Sequence, residues 1–397
     1  MNNSVFRFKS RCSTGFVLAL GVLYNMFFVN VGNCQSPEVS TIGSNGQFLD
    51  IGGCKIFYEE AGKGQCIVLL HDGLVNSMTW DGEWESLSKN FRVIRYDRRG
   101  YGRSDTPTKA FSQVSDLKTL LDHLNIKHAS LVGCSSGGGT AIDFTIAHPE
   151  MVDHLILTGS VLHGMVTTSD IIQRGNRNNE PVKKNDLLAA AHNWAYDPTT
   201  IASADSVGQK KLYQALSRYP NNLKYTGQYE LRPSSPAVTR LSEIYTPTLI
   251  LVGEFDVPDV HSFSGAIQAG IPGSRREIVK GTAHLIPLER PEYLSERISD
   301  FIGKYPRVTA PPEVLDSYQG KYSIWGSFAI VMMKQGHLVI RFPAEWDIPL
   351  FQVSSTRFRC FLWSQDAEIE FEKNSTGQIV EATIYSEDGQ STKCKRL

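Results

Sequence analysis

The segment from Ala129 to Gly139 reads ASLVGCSSGGG and contains the pattern Gly-x-Ser-x-Gly at Gly133, Ser135 and Gly137. Its first residues form a short apolar run typical of a buried strand, and the residues from Ser136 onward predict a helix. A serine on the tight turn between a strand and a helix needs strained backbone angles. Small neighbours are needed wherever that turn approaches other backbone. The pattern therefore predicts that Ser135 is presented at the edge of a sheet.

Short runs rich in β-forming residues occur on both sides of this segment, with helical patterns between them. The predicted strands are Cys66–Leu70, Val93–Tyr96, Ala129–Gly133, Leu155–Gly159, Thr248–Val252 and Arg276–Val279. Strands that are apolar throughout indicate a sheet that is covered on both faces. Because strands that alternate with helices are typical of βαβ units, the predicted fold class is α/β, with a doubly wound and mostly parallel sheet.

A long insertion interrupts this alternation. The 88 residues between Gly159 and Thr248 far exceed an ordinary connection, so they are expected to contain structure of their own. We interpret residues 161–244 as an inserted helical cap. Apolar spacing predicts one cap helix around Leu187–Trp194 and another around Val207–Leu216, whereas Gly175–Asn185 is expected to be an exposed loop.

The C-terminal part of the chain has a different pattern. After the stiff pair Pro311-Pro312, polar and apolar residues alternate, as in Glu368–Glu372 and Val380–Ile384. Alternation of this kind predicts antiparallel strands with one buried face. We therefore expect an α/β domain over residues 35–310 and an all-β, barrel-like domain over residues 311–397.

The N-terminal segment is typical of an export signal. Residues 1–34 carry Arg7, Lys9 and Arg11 but no acid, and the apolar run Gly15–Val31 follows. The protein is therefore expected to be periplasmic or secreted. The run is also close to the minimum length for spanning a bilayer, so an uncleaved membrane anchor is the alternative. Lipidation at Cys34 is a minor alternative.

Composition excludes several classes of function. The net charge is −1, and without a basic excess a nucleic-acid partner is not expected. Five cysteines follow the leader, at no metal-ligand spacing, and Cys360 and Cys394 are the pair to test for a disulfide. The sequence contains no dinucleotide fingerprint, phosphate loop or zinc-binding helix motif, so neither a cofactor nor a metal is implied.

Two further strand ends carry polar residues that complement Ser135. Asp256 follows the strand Thr248–Val252, and His284 follows the strand Arg276–Val279. The carboxyl ends of parallel strands meet at one edge of a sheet, so the three side chains are expected to converge. A histidine can then take the serine proton, and a carboxylate can orient that histidine. Glu254 is the alternative acid.

If the serine attacks an acyl bond, the carbonyl oxygen becomes an anion, and hydrogen-bond donors are needed to stabilise that anion. The backbone N–H of Ser136 is one candidate, because it follows the serine at the start of a helix. Gly73 is the other, in the loop His71-Asp72-Gly73 that follows the strand Cys66–Leu70. Asp97 is predicted to form a structural ion pair.

With these motifs in register, residues 46–305 resemble the α/β-hydrolase family. Further matching motifs are Asp97-x-x-Gly-x-Gly-x-Ser104 and Pro247 before the acid strand. One departure is Asp72, where many members have glycine. Residues 311–397 resemble the lipocalin-like β module that is appended to some bacterial serine hydrolases.

The resemblance implies a metal-independent serine hydrolase that acts on a small-molecule acyl substrate through an acyl-enzyme on Ser135. Esters of small to medium acids are the first expectation. Carbon–carbon bond or lactone hydrolysis stays open because the cap, rather than the triad, selects the substrate. A ligand-binding protein that retains the triad is the alternative from another class. The β module is expected to bind a glycan, a partner or the cap.

Overall fold

The structure of the protein, a computed structural model, describes residues 46–308, 311–343, 347–362 and 365–397. The predicted export segment and Cys34 lie outside these residues. Among the residues described, no helix is long and apolar enough to cross a bilayer.

An eight-stranded sheet organises residues 46–308. Its strands are β1 (Gln47–Asp50), β2 (Lys55–Ala61), β3 (Cys66–Leu70), β4 (Arg92–Tyr96), β5 (Ala129–Cys134), β6 (Val152–Thr158), β7 (Thr248–Gly253) and β8 (Arg275–Val279). They lie in the order β1-β2-β4-β3-β5-β6-β7-β8. Strands β3 to β8 run parallel to one another. At one edge of the sheet, β2 pairs antiparallel with both β4 and β1. The predicted α/β class is confirmed, and β3 to β8 correspond to the six predicted strands.

Helices cover both faces of this sheet. In the part of the chain before residue 309 they are α1 (Asp81–Ser88), α2 (Gln113–His123), α3 (Ser136–Ala147), α4 (Ser169–Asn178), α5 (Leu187–Ala195), α6 (Ser206–Arg218), α7 (Pro258–Gly270), α8 (Ile286–Glu289) and α9 (Pro291–Lys304). Val68 of β3 packs into a core with α2, α3 and α7, while its neighbour Leu69 packs into a second core with α1 and α9. Successive strand residues point to opposite faces. Both faces are buried for this reason, as the continuous apolar runs predicted.

The cap lies between β6 and β7 and is helical, as expected. It contains α4, α5 and α6, and short 3-10 helices at Glu180–Lys184, Pro220–Lys224, Ala237–Thr239 and Leu241–Glu243. The expectation of a loop at Gly175–Asn185 was wrong, because α4 continues to Asn178 and a 3-10 helix follows. The inner side of α4 carries the polar residues Arg174 and Asn178, so the segment lacks the apolar stripe that would indicate a helix.

The C-terminal segment consists of antiparallel strands, as predicted, and these form two sheets. Among residues 311–397 as described, a short helix, α10 (Pro312–Asp316), precedes β9 (Gly320–Ile324), β10 (Ser327–Lys334), β11 (His337–Arg341), β12 (Asp347–Pro349), β13 (Phe351–Gln352), β14 (Arg357–Leu362), β15 (Gln365–Lys373), β16 (Ile379–Ser386) and β17 (Ser391–Lys395). The sheet orders are β12-β11-β10-β9 and β13-β14-β15-β16-β17. An isolated bridge between Tyr322 and Arg396 connects the two sheets at one edge. The lipocalin-like identity and the domain boundaries stay predictions.

The interior of this β module is filled by its own side chains. The cavity between the two sheets is about 10 Å³, which is room for about one water molecule. Cys360 and Cys394 are buried here as free thiols, on strands separated by β15 and β16. The module contacts β8 of the main sheet through the ion pair between Arg275 and Asp366 of β15, at 2.6 Å, and contacts the end of α9 through the rings of Phe351 and Tyr305.

Candidate active site

Ser135 occupies the tight turn between β5 and α3. Its φ of 52° and ψ of −118° lie in a region that non-glycine residues rarely adopt. The Ser135 N–H donates to the Thr158 carbonyl at 2.9 Å, and the Ser135 carbonyl accepts from the Gly139 N–H at 3.1 Å. Strand β6 and the first turn of α3 thus hold the backbone in this strained conformation.

The glycines on either side of Ser135 are required by close backbone approach. A Cβ atom at Gly133 would lie 2.6 Å from the Cα of Gly138, and one at Gly137 would lie 2.3 Å from the carbonyl oxygen of Leu70. Both distances are below any tolerable contact. Any larger residue at these positions would push the turn away from β3 and α3.

The structure brings Ser135, His284 and Asp256 into one hydrogen-bonded chain. The Ser135 hydroxyl lies 2.9 Å from Nε2 of His284. On the other side of the ring, Nδ1 of His284 lies 2.9 and 3.1 Å from the two Asp256 carboxylate oxygens. If Nδ1 carries the proton and donates to Asp256, Nε2 is left as an acceptor directed at the serine.

The alternative acid, Glu254, is directed elsewhere. Its carboxylate accepts from the Lys280 ammonium and from the Gly281 N–H, each at 2.9 Å. The side chain of Asp256 is fully buried, and one of its oxygens also accepts from the Val257 N–H at 2.7 Å. The structure therefore brings Asp256, and not Glu254, to the imidazole.

Burial and charge act in opposite directions on His284. Burial lowers the pKa of the imidazole, but the charge and hydrogen bond of Asp256 outweigh burial and raise that pKa above its usual value. The carboxylate stabilises the imidazolium. A raised pKa makes Nε2 a stronger base than a free imidazole.

The predicted oxyanion donors, Gly73 and Ser136, are also neighbours. A Cβ atom at Gly73 would lie 3.2 Å from Oγ of Ser136. Within the described part of the chain, neither of the two backbone N–H groups donates a hydrogen bond. Gly73 lines the same pocket as Ser135, so its free N–H is available to an oxygen bound there.

Asp72, the departure from the family pattern, shapes this loop. Its carboxylate accepts from the N–H groups of Leu74 and Val75 at 2.6 and 2.9 Å, and from the Thr79 hydroxyl at 2.5 Å. These bonds close the loop in the way that aspartate caps a turn. The carboxylate is satisfied by these three donors, and within the described part of the chain it accepts no hydrogen bond from the Gly73 N–H.

A buried arginine supports the loop from beneath. One nitrogen of Arg98, Nη2, donates to the Asp72 carbonyl at 2.8 Å and to Oγ of Ser136 at 2.6 Å. Arg98 is 2% exposed, and no described carboxylate lies within salt-bridge distance of it. Its charge is therefore held next to the two candidate oxyanion donors without a direct counter-ion.

Neighbouring His71 is held neutral. Burial, with a further contribution from the charge of Arg98, lowers the pKa of His71 to about 4. Nε2 accepts from the Arg98 N–H at 2.9 Å, so the proton lies on Nδ1, which donates to the Asp72 carbonyl at 2.6 Å. His71 thus fixes the backbone between β3 and Gly73.

A pocket of about 230 Å³ opens over Ser135. Its floor contains Ser135, His284 and Gly73, and its roof comes from the cap. The other lining residues are Asp72, Leu74, Val161, Ile171, Arg174, Trp194, Thr200, Val257 and Val260. A pocket of this size, mostly apolar with a few polar groups, fits a small-molecule substrate.

A comparison with known protein families agrees with this arrangement of sheet, strained serine turn and cap. Residues 67–291 match the family model described as the alpha/beta hydrolase fold. The chain belongs to the α/β hydrolase fold family.

Individual relatives of this hydrolase have different activities. It is 28% identical over 251 residues to a putative 2-succinyl-6-hydroxy-2,4-cyclohexadiene-1-carboxylate synthase of Bacillus subtilis, covering 60% of this chain and 90% of that protein. It is 27% identical to a 2-hydroxy-6-oxo-6-phenylhexa-2,4-dienoate hydrolase of Comamonas testosteroni, covering 64% and 93%.

Solved structures share the fold of this hydrolase. A thermophilic esterase from Thermogutta terrifontis matches with a TM-score of 0.56 at 24% identity, over 65% of this chain and 98% of that one. The carboxylesterase CesB from Bacillus subtilis matches with a TM-score of 0.54 at 21% identity, over 66% and 92%. Likeness at this level of identity concerns the fold alone.

Sequence reasoning missed two residues that shape the hydrolase site. Arg98 follows Asp97, which forms the expected ion pair with Arg103 at 2.9 Å, and nothing local indicated that the next side chain reaches Ser136. Gly159 directly follows β6 and has a φ of 52°, and a Cβ atom there would lie 3.1 Å from Nδ1 of His284. The sequence feature that could have indicated Gly159 is a glycine directly after a buried strand.

Among the described residues, no cluster of His, Cys, Asp or Glu could hold a metal ion.

Gly137→Ala is expected to destabilise the hydrolase by about 2 kcal/mol or more, because the new methyl group would overlap the backbone of β3. The measurement is the midpoint of urea unfolding. Gly175→Ala in α4 is the matched control: a Cβ atom there meets nothing within 4 Å, so a gain of about 0.5–1 kcal/mol is expected. Equal stability of the Gly137→Ala variant and the wild type would contradict this account of the turn.

Proposed function

We propose that the protein is an exported serine hydrolase that cleaves an ester or related acyl bond of a small to medium substrate. The observation that carries the proposal is the hydrogen-bonded chain from Ser135 through His284 to Asp256, at 2.9 Å for each link, in the floor of a capped pocket. Serine is a poor nucleophile unless a base takes its proton. His284, with its raised pKa, is the base in reach.

In the proposed reaction, Oγ of Ser135 attacks the substrate carbonyl while Nε2 of His284 takes the hydroxyl proton. Asp256 stabilises the imidazolium that results. The carbonyl oxygen becomes an anion, and the N–H groups of Gly73 and Ser136 are the donors we assign to it. The leaving group departs with the proton from His284, and the acyl group stays on Ser135. Water, activated by the same imidazole, then releases the acid.

Two features favour the oxyanion assignment. The Ser136 N–H lies in the first turn of α3, a helix of 12 residues whose N-terminus carries partial positive charge. The unpaired guanidinium of Arg98, bonded to Oγ of Ser136, adds a full positive charge nearby. In a buried site, such preorganised charge stabilises an anion more strongly than it would in water.

Carbon–carbon bond hydrolysis is the second candidate. It is favoured by the 27% identity to the Comamonas testosteroni dienoate hydrolase over 93% of that protein. The same serine, histidine and oxyanion donors support ester, lactone and carbon–carbon cleavage. A panel of simple esters, lactones and vinylogous diketones would separate these activities by their relative kcat/KM values.

A ligand-binding protein that retains the triad is the alternative from another class. It would hold small acyl compounds without turnover. A burst of product from a chromogenic ester, followed by steady turnover, would exclude it.

Ser135→Ala is expected to reduce kcat for a chromogenic ester by about 10⁴–10⁶-fold with unchanged stability, because it removes the nucleophile. In the wild type, a fluorophosphonate should label the peptide that contains Ser135. The control is Ser262→Ala, which removes an exposed hydroxyl bonded to the Pro258 carbonyl and should keep full turnover. A kcat for Ser135→Ala within about tenfold of the wild-type value would refute the nucleophile assignment.

Asp256→Asn is expected to reduce kcat by about 10⁴-fold, because the amide favours the wrong imidazole tautomer. Its matched control is Glu254→Gln, which changes the acid that binds Lys280 instead. In the wild type, kcat/KM should fall as the pH drops through the raised pKa of His284, since a protonated Nε2 cannot accept the serine proton. A larger loss in Glu254→Gln than in Asp256→Asn would show that the acid is misassigned.

The proposal that the hydrolase is exported rests on the basic residues and apolar run of residues 1–34. When the full chain is expressed in a bacterium, mass spectrometry of the mature N-terminus is expected to find cleavage near residue 34. Retention of Met1 in the membrane fraction would support the anchor instead. Retention of Met1 in the cytoplasm would contradict export.

A further inference from the structure

The pocket over Ser135 contains a cation that the proposed acyl transfer does not use. Among the residues that line it, the ionisable ones are Asp72, Arg174 and His284. Asp72 is satisfied by three donors of its own loop, and His284 is bonded to Ser135 and Asp256. Arg174, on α4 of the cap, has no partner in the chemistry proposed above.

Arg174 is fixed in position by three neighbours. Its Nε and Nη2 donate to the two oxygens of Asp197 at 3.0 and 3.2 Å, and Nη2 also donates to the Thr200 hydroxyl at 2.5 Å. The Trp194 ring lies under the guanidinium at 5.0 Å, within range of a cation–π contact. With a side chain only 14% exposed, Arg174 is held in one orientation in the pocket wall.

One end of this guanidinium is unused. The bonds to Asp197 and Thr200 occupy the N–H of Nε and both N–H groups of Nη2. Nη1 donates to no acceptor within the described part of the chain, which leaves two N–H donors on a residue that lines the pocket. Donors that are already oriented lose little entropy when they bind an acceptor.

Asp197 orients this cation and does not compete for the free end. Its carboxylate also accepts from the N–H and hydroxyl of Thr199, at 2.9 and 2.7 Å, and from the Asn178 amide at 2.7 Å. Burial opposes ionisation of Asp197, but these hydrogen bonds and the charge of Arg174 lower its pKa to about 2. The carboxylate therefore stays ionised and directed at Nε and Nη2.

The Arg174 charge also reaches the reacting centre. It opposes protonation of His284, which places the guanidinium within electrostatic range of the imidazole. The rest of the pocket wall is largely apolar, with Val161, Ile171 and Val260 among its residues. Arg174 and Ser135 thus line one pocket whose remaining wall is largely apolar.

We propose that Arg174 makes the pocket selective for acyl substrates that carry a second, ionised carboxylate, such as half-esters of short dicarboxylic acids. The carboxylate accepts from Nη1 of Arg174 while the ester carbonyl lies against Ser135 and the Gly73 N–H. A charge-assisted hydrogen bond in a partly buried site is stronger than a neutral one. This inference rests on the serine hydrolase function proposed above.

The experiment compares two esters of equal chain length, mono-4-nitrophenyl glutarate and 4-nitrophenyl pentanoate. Water and the first ester give glutarate and 4-nitrophenolate. We expect the wild type to favour the charged ester in kcat/KM by about tenfold or more, mainly through a lower KM. Arg174→Gln should reduce this ratio of the two kcat/KM values by about tenfold or more.

The matched control is Arg177→Gln, which removes the same charge from the exposed side of the same helix. This variant should leave the ratio of the two kcat/KM values as in the wild type. A change in that ratio only in Arg174→Gln would then come from the pocket and not from the loss of any charge on α4. If Arg174→Gln reduces kcat/KM for both esters by the same factor, Arg174 only ties α4 to Asp197, and the proposal is overturned.

A second measurement needs no variant that might misfold. Glutarate is expected to protect Ser135 of the wild type from a fluorophosphonate at a concentration at least about tenfold lower than pentanamide requires. Equal protection by both compounds would overturn the selectivity while leaving the serine hydrolase intact. If neither ester is turned over and the fluorophosphonate does not label Ser135, the proposed function itself fails.

Discussion

The carboxyl ends of parallel strands must meet at one edge of a sheet, and the candidate site depends on this constraint. Ser135 follows β5, Asp256 follows β7 and His284 follows β8, so residues up to 149 positions apart come within hydrogen-bonding distance. Strand β6 lies between β5 and β7, and a larger residue directly after it would crowd the pair of His284 and Asp256. Gly159, at that position, leaves room for the pair.

The charges around the site have distinct positions relative to the reacting serine. Arg98 lies beneath the oxyanion loop, where it bonds the Asp72 carbonyl and Ser136. Arg174 lies in the cap wall, tied to Asp197. Arg98 is thus next to the two candidate oxyanion donors, whereas Arg174 lines the pocket from the side of the cap. In the proposals above, the edge of the sheet carries the chemistry and the cap carries the selectivity.

The elements that could be predicted from sequence are those with a local signature. Most of the strands from β3 to β8 contain a short apolar run, and the turn at Ser135 carries its own glycines. The features that were missed depend on contacts distant in sequence. Arg98 bonds Ser136, which is 38 positions away in the sequence. Helix α4 buries polar groups, such as Arg174 against Asp197, so its sequence shows no apolar periodicity that would predict a helix. The antiparallel strands β1 and β2 at the sheet edge were missed as well.

The cap is bonded directly to the segment that carries the histidine. The N–H groups of His284 and Leu285 donate to the carbonyls of Thr199 and Thr200, at 3.2 and 3.1 Å. Glu289, whose pKa burial raises to about 7, accepts from Ala202 on one side and Ala283 on the other, each at 2.8 Å. A cap that opened at this junction would pull His284 away from Ser135. A movement of the cap that leaves His284 next to Ser135 therefore has to keep these hydrogen bonds and bend elsewhere.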